Sequence, residues 1–176
     1  MPMKFFSTVL VALLLLCFAC RQGETRQAVP VHLADTLQKA NRKIVTEEKF
    51  VIEAFLKRKG WNYQKTGTGL YFYPYYSPQK DSLLRNGDRV WISFSLEDIR
   101  GNVFYDVFHK RNIQFVIGHD DVEAGIHEVM LNLKKGDKCY VLLPPHLAFG
   151  LTGTEDIPPY TILLYNLEVK DVKRQQ

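Results

Sequence analysis

The stretch from Leu143 to Val172, LPPHLAFGLTGTEDIPPYTILLYNLEVKDV, constrains the fold of this chain more than any other. An apolar run reaches Ala148-Phe149-Gly150, a short polar loop follows, and after Ile157-Pro158-Pro159 the chain commits to a strand from Thr161 to Val172. Proline presets φ and glycine supplies backbone angles closed to other residues, so a loop carrying Gly150, Gly153 and a double proline has few shapes open to it. Such a loop lies at the surface. Set between two strands, it either holds a ligand or is a rigid hairpin connection.

Upstream, a period of two recurs. GLYFYPYY, Gly69 to Tyr76, is aromatic and extended, and Pro74, with no N–H to donate, confines it to an edge strand or a strand end. From Arg89 to Glu97, Val90, Ile92, Phe94 and Leu96 fall on one face; Arg100-Gly101-Asn102 turns the chain back through Val103 to Val107. Ile113 to Ile117 is another short strand, with Phe115 and Ile117 facing one way. Asp120 or Asp121 then caps a brief helix in which Val122, Ile126, Val129, Met130 and Leu133 share a face, and Gly136-Asp137 turns into Cys139 to Leu143. One short helix set into a run of strands predicts an α+β fold, an antiparallel sheet wrapped around that helix. At 176 residues, 46% hydrophobic and 24% charged, one compact core with tails is expected.

The N-terminus is patterned differently. Lys4 precedes an apolar run from Val9 to Leu16 and then Cys17-Phe18-Ala19-Cys20. The run is shorter than the roughly 20 residues that cross a bilayer and has the form of a signal-peptide core. Ala19 before Cys20 resembles a bacterial lipobox, in which the cysteine becomes the lipidated first residue of the mature chain. Cys17 stands where that pattern prefers leucine, which leaves plain cleavage as the alternative. A Cys17-x-x-Cys20 redox pair lacks the βαβ surroundings such a motif needs, and Cys139, inside an apolar strand, reads as a core residue. No disulfide is then available within the mature domain. From Arg21 to about Ala34 the polar, unpatterned chain suits a tether. Thr46 next caps a helix with Glu47 and Glu48 in its first turn, and Gly60 stops it after Lys57, Arg58 and Lys59. Val51, Ile52, Phe55 and Leu56 form its one apolar stripe, so it is expected to dock as an accessory helix.

Loss of Lys4 with the leader takes the formal net charge from +4 to +3. Basic and acidic residues are interspersed, without the clustering of a nucleic-acid footprint. A metal or redox protein built on His109, His119, His127, His146 and Cys139 is weighed and set aside, because their spacing fits no metal motif. No nucleic-acid partner, metal or cofactor is expected.

Four phrases in order carry a resemblance: NGDRVWISFSLED, GNVFYD with its Tyr105-Asp106 pair, FVIGHDDVEAGIHEVMLNLKKGDK across the short helix, and LAFGLTGTEDIPPYTILLYNLEV at the end. Through them, Arg85 to Val172 resembles the FKBP class of peptidyl-prolyl cis-trans isomerases. The leader, the accessory helix and the phrase GTGLYF look further like the gliding-motility-associated lipoprotein isomerases of Bacteroides-type bacteria. The expected organisation is a signal peptide over 1–19, a lipidated N-terminus and tether over 20–45, an accessory helix and lead-in strand over 46–84, and an isomerase domain over 85–172. The resemblance implies a monomer in the cell envelope, lipid-anchored to a membrane and facing the periplasm, that acts on proline-containing polypeptides.

The chemistry so implied needs no acid, base or metal. Rotation about a peptide bond is slowed by a barrier of about 18–20 kcal/mol, because the planar form is resonance-stabilised. A catalyst need only bind the twisted amide better than either planar isomer, and an apolar site serves by removing the water that favours the charge-separated planar form. Carried over residue by residue, its walls would be Phe94, Tyr105, Asp106, Ile113, Phe115, Val122, Glu123, Ile126, Phe149, Ile157 and Tyr165. Ile126 would be the floor, where the family usually places tryptophan, and Tyr105, Phe115 and Tyr165 the aromatic sides. Asp106 would orient the amide from the rim. Val122 and Glu123 would act through the main chain, the Glu123 N–H donating to the substrate carbonyl while its carboxylate stays in solvent. Phe149 to Pro159 would be a flap.

Without the resemblance, Phe94, Phe115 and Tyr165 read as core, Asp106 as a turn residue, and Glu123 as half of a capping box with Asp120. The departures from the family pattern point to a reduced rate and weakened macrolide binding. Phe149 stands for a tyrosine whose hydroxyl bonds the substrate, Phe94 also lacks a hydroxyl, Ile126 is smaller than tryptophan, and Glu123 replaces an apolar residue. The expected activity is isomerisation of X-Pro bonds in support of exported-protein folding; the alternative is a weak or inactive binding or chaperone module that kept the groove.

Overall fold

The structure, a computed structural model, describes residues 31–78, 81–106 and 112–174. The leader, Cys20, the tether up to residue 30, the end of the return strand at Val107, and His109 lie outside these residues. The chain divides into two units between Lys43 and Ile44. What is described of the first is helical, and the sheet with its two cores belongs to the second.

Helix α1 spans Val31–Lys59, so it begins well before Thr46, where a start was expected. Thr46, Glu47 and Glu48 lie within it. The sequence holds neither proline nor glycine between Pro30 and Gly60, so nothing halts a helix propagating upstream of the cap signature. The C-terminal end is where the sequence placed it. Lys57, Arg58 and Lys59 fill the last turn, and Gly60, at φ 66°, donates its N–H to the Leu56 carbonyl at 3.0 Å.

Seven strands, β1 (Gln64–Lys65), β2 (Tyr71–Tyr76), β3 (Arg89–Asp98), β4 (Val103–Asp106), β5 (Ile113–Val116), β6 (Lys138–Leu143) and β7 (Leu163–Lys173), form one sheet in the order β1-β2-β6-β7-β3-β4, with β5 also on β3. Every pairing is antiparallel. β7 pairs along all of β3, from Asp98↔Leu163 to Arg89↔Lys173. On its other side β3 is shared, β5 taking Arg89 to Ile92 and β4 taking Ser95 to Glu97. Pro74 sits past the two residues that β1 covers, and the register slips between Pro74 and Tyr76, as a residue without an N–H requires.

The period of two sorts side chains to the two faces. Leu70 and Phe72, Val90 to Leu96 by alternation, Cys139, Val141 and Leu143, and Leu163 to Val169 by alternation make one core. Tyr71, Leu142 and Leu164 turn to the other face and bury Ile52, Phe55 and Leu56 of α1. There Trp61 lies flat on Tyr140, centroids 4.4 Å apart at 12°, and edge-on to Phe55 at 6.0 Å. Each fully buried apolar side chain of this kind contributes about 1.5–3 kcal/mol, enough for one turn and a half of helix to hold to the sheet.

Helix α2, Ala124–Met130, covers the first core with Gly125, Ile126, Val129 and Met130. It is shorter than the sequence suggested, leaving Val122 and Leu133 outside, and its N-cap is Glu123 rather than Asp120 or Asp121. Asp120 instead accepts the Val116 N–H at 2.8 Å, closing the turn before the helix. A Cβ on Gly125 would overlap Leu143 Cδ2 and stand 3.2 Å from the Leu147 carbonyl. Glycine is therefore what lets α2 seat directly on the end of β6.

Candidate functional site

Five of the expected wall residues meet in the first core, each from a different element: Phe94 of β3, Phe115 of β5, Ile126 of α2, Ile157 of the connection between β6 and β7, and Tyr165 of β7. Phe94 and Tyr165 face each other at 5.2 Å and 50°. Val122 and Phe149 are half-buried and pack against the same cluster. Tyr105 and Ile113 stand apart from it, 40% and 37% exposed at the ends of β4 and β5. Asp106 is the last residue of β4, in register with Ser95, so it is a strand residue and not a turn residue.

Two hydrogen bonds tie distant segments together here. Tyr165, 2% exposed, donates its hydroxyl to a Glu123 carboxylate oxygen at 2.6 Å. This departs from both expectations for Glu123: its carboxylate, though half-exposed, is held by a buried hydroxyl and not left to solvent alone, and it makes no capping box, since Glu123 is itself the N-cap and has no side-chain cap bond. Burial, then the Glu123 charge, push the Tyr165 hydroxyl far above the usual tyrosine range, so it remains a donor. The second bond runs from the Tyr105 hydroxyl to Asp156 Oδ2 at 3.0 Å, and that bond raises the Tyr105 pKa. The Glu123 N–H has no acceptor among the described residues. It sits at the start of α2, at φ −57° and ψ 138°, beside Val122.

The connection from β6 to β7 is braced along its length. A short 3-10 turn, Pro145–Leu147, opens it, the Gly150 N–H donates to Pro145 at 2.8 Å, and the Tyr160 N–H to Gly150 at 3.1 Å. The Thr154 N–H meets the Ile157 carbonyl at 2.8 Å, while the Thr154 hydroxyl accepts the Ile157 N–H at 3.1 Å. At Gly153, φ 66°, a Cβ would overlap the Ile157 carbonyl oxygen and lie 2.8 Å from Pro159 N, so the loop folds onto itself at that point. Tyr160 adopts φ 57°, the left-handed region that a bulky residue enters only when its surroundings hold it there. Because β6 and β7 pair with each other, the segment is topologically a hairpin connection; its inner side carries Ile157 and Phe149 to the core.

Of the residues of the metal and redox reading, three are seen in other roles. His127 accepts the Gly118 N–H on Nδ1 at 2.9 Å and sets Nε2 2.9 Å from the Asp120 carbonyl, which fixes the turn behind Phe115, whose ring it meets edge-on at 5.7 Å. His146 Nε2 lies 2.9 Å from the Thr68 carbonyl. Cys139 is wholly buried, and burial drives its thiol well above the usual range, away from the reactive thiolate. Neither the Tyr165–Glu123 nor the Tyr105–Asp156 bond left a signal in the sequence, because partners 42 and 51 residues apart meet only through the sheet.

Residues 80–170 match the family of FKBP-type peptidyl-prolyl cis-trans isomerases. FkpA of Escherichia coli, an FKBP-type peptidyl-prolyl cis-trans isomerase, is 32% identical over 121 residues, 69% of this chain and 43% of FkpA. FkpA of Buchnera aphidicola subsp. Schizaphis graminum is 25% identical over 136 residues, 77% of this chain and 53% of that protein. The chain thus spans about half the length of these curated relatives. Among solved structures, the crystal structure of Escherichia coli FkpA aligns with a TM-score of 0.64 at 26% identity, over 95% of this chain and 82% of that one. A peptidyl-prolyl cis-trans isomerase from Pseudomonas syringae shares the fold, with a TM-score of 0.63 at 19% identity, over 76% of this chain and 96% of that one.

Proposed function

The chain belongs to the FKBP-type peptidyl-prolyl cis-trans isomerase family, and from that premise we propose that its 85–172 segment accelerates rotation about X-Pro bonds in exported polypeptides. Phe94, Phe115 and Tyr165 are the ring walls, Ile126 the floor, and Ile157 and Phe149 the flap side; Tyr105, Ile113 and Asp106 stand at the rim. A proline bound among them takes its amide out of water. The planar form then loses the solvation of its separated charge, and the twisted form, which has less charge to solvate, comes closer in energy. Each 1.4 kcal/mol or so gained this way raises the rate about tenfold. The Glu123 N–H donates to a substrate carbonyl and fixes the register of the chain.

One observation carries this reading: five apolar or aromatic side chains from five elements converge beside a backbone N–H that has no acceptor among the described residues. A second reading, a weak or inactive binding or chaperone module, is favoured by the carboxylate that Tyr165 holds against the site wall and by the absence of a hydroxyl on Phe149. The lipid anchor at Cys20, a monomeric state, a place in the envelope facing the periplasm and a kinship with gliding-associated lipoproteins complete the proposal; their support is Ala19-Cys20, the apolar leader and GTGLYF. The test is the purified full chain on a panel of X-Pro peptides. Rates above the uncatalysed exchange, which takes tens to hundreds of seconds, uphold the isomerase. Binding without acceleration transfers the site to the second reading.

A further inference from the structure

Glu123, immediately before α2, brings two polar groups to the proline site, a backbone N–H and a carboxylate. The N–H has no acceptor among the described residues. The carboxylate takes the Tyr165 hydroxyl on one oxygen at 2.6 Å, and the Tyr165 ring, 5.2 Å from that of Phe94, is a wall of the site. Tyr165 is packed into the core, so it fixes the carboxylate at the end of that wall and cannot swing away with it. Glu123 itself is half-buried and is reached from outside the core. The Tyr105 pKa, raised first by the bond to Asp156 and then by burial, is raised further by the charges of Asp156, Glu123 and Glu155, which places all three carboxylates within reach of the rim. Glu123 takes part in none of the ion pairs among the described residues.

We propose that Glu123 determines which clients the site accepts: its carboxylate pairs with a Lys or Arg side chain on the residue next to the bound proline and turns away Asp or Glu there. This rests on the isomerase reading above. A client carbonyl that accepts the Glu123 N–H lies within one residue's reach of the carboxylate, so the client side chain adjoining that carbonyl meets it. A basic side chain leaves the Tyr165 bond intact, since a carboxylate accepts further donors on its second oxygen. An acidic side chain meets like charge on a group that cannot rotate away. Were it to do so, the Tyr165 hydroxyl, 2% exposed, would be left buried without a partner.

The experiment uses the full chain and proline peptides that differ at one residue, Lys, Gln or Glu, set immediately before the proline in one series and immediately after it in another. Isomerisation, as kcat/KM, and affinity, by calorimetry, are read on the same samples. In one of the two series the Lys peptide is expected to exceed the Gln peptide about fivefold, the upper yield of an ion pair that water still reaches, and the Glu peptide to fall below it. Glu123→Gln, shown by circular dichroism to be folded, keeps an acceptor for Tyr165 and loses only the charge, so its peptides are expected to agree within about twofold. If that variant does not fold, Glu123→Gln combined with Tyr165→Phe, which leaves no buried hydroxyl to satisfy, takes its place. A general loss of stability lowers all the peptides alike and leaves their ratio unchanged. Equal kcat/KM and affinity throughout both series of the parent overturn the proposal even if every peptide is isomerised. A Lys preference that survives in Glu123→Gln also overturns it, since the charge then sits elsewhere at the rim. A Lys preference in affinity that Glu123→Gln abolishes, with no acceleration of any peptide, upholds the role of Glu123 and refutes the isomerase reading.

Discussion

Tyr165→Phe removes one hydroxyl from a ring that is 2% exposed and breaks its 2.6 Å bond to Glu123, leaving the contact with Phe94 in place. Hydrogen bonds to charged groups contribute about 1.5–3 kcal/mol. Glu123 is only half-buried, so water can replace the lost donor, and the loss should lie near the lower end, about 1.5 kcal/mol. Glu123→Ile strands the other partner: the Tyr165 hydroxyl has no water to turn to, and its desolvation costs about 1–3 kcal/mol, offset in part by the apolar side chain gained. When both are replaced nothing buried is left unpaired, and the double variant should be close to the parent. The cycle therefore predicts a coupling of about 1.5–2 kcal/mol. Urea unfolding followed by circular dichroism gives the midpoints, compared at constant slope. Additivity of the two single changes to within about 0.5 kcal/mol would refute the claim that the bond holds the site wall together.

Phe149→Tyr restores a hydroxyl on the flap side and should raise the isomerisation rate by up to about tenfold, one recovered hydrogen bond; an unchanged rate in a folded variant counts against a substrate at that edge. Phe55→Ala should destabilise the chain by about 3–5 kcal/mol in urea, and a change under 1 kcal/mol would mean that α1 contributes little to holding the sheet. The buried thiol gives a pH signature. The folded pKa of Cys139 is raised, so its contribution is intact below the unfolded value of about 8.5 and is lost as pH rises above it. Between pH 8 and 10 the parent should lose about 2 kcal/mol more stability than Cys139→Ala; parallel pH curves would show the thiol ionising in the folded state. Cys20→Ser should abolish lipid labelling and release the chain from membranes, and retention of both label and membrane would remove the anchor.

The strands were legible because both faces of the sheet are covered and alternate cleanly: Val90, Ile92, Phe94 and Leu96 go to one core while Tyr71, Leu142 and Leu164 go to the other. The start of α1 was not, because Thr46-Glu47-Glu48 has the chemistry of a first turn wherever it stands, and only a breaker upstream would have made it one. At α2 the same ambiguity misplaced the cap by two or three residues, since Asp120 and Asp121 are good caps that the turn before the helix uses otherwise. For the site, periodicity could assign Phe94, Phe115 and Tyr165 only to a core; the family resemblance grouped them with Ile126 and Ile157. Neither could foresee that Glu123 faces Tyr165. That contact depends on the separation between the start of β7 and the start of α2, a three-dimensional quantity with no counterpart in spacing along the chain.

The flat contact of Trp61 on Tyr140, with Phe55 at its edge, has an optical consequence. The chain's two tryptophans stand in unlike places: Trp61 bridges α1 and the sheet, while Trp91 lies within β3, in register with Gln114 and Asp171. With Trp91 replaced by Phe, the emission of the protein comes from Trp61 alone and shifts to the red when water reaches the indole. A spectrum that reddens before the far-ultraviolet signal is lost would show the helix peeling from an intact sheet as a separate unit, and coincident changes would show the two released together.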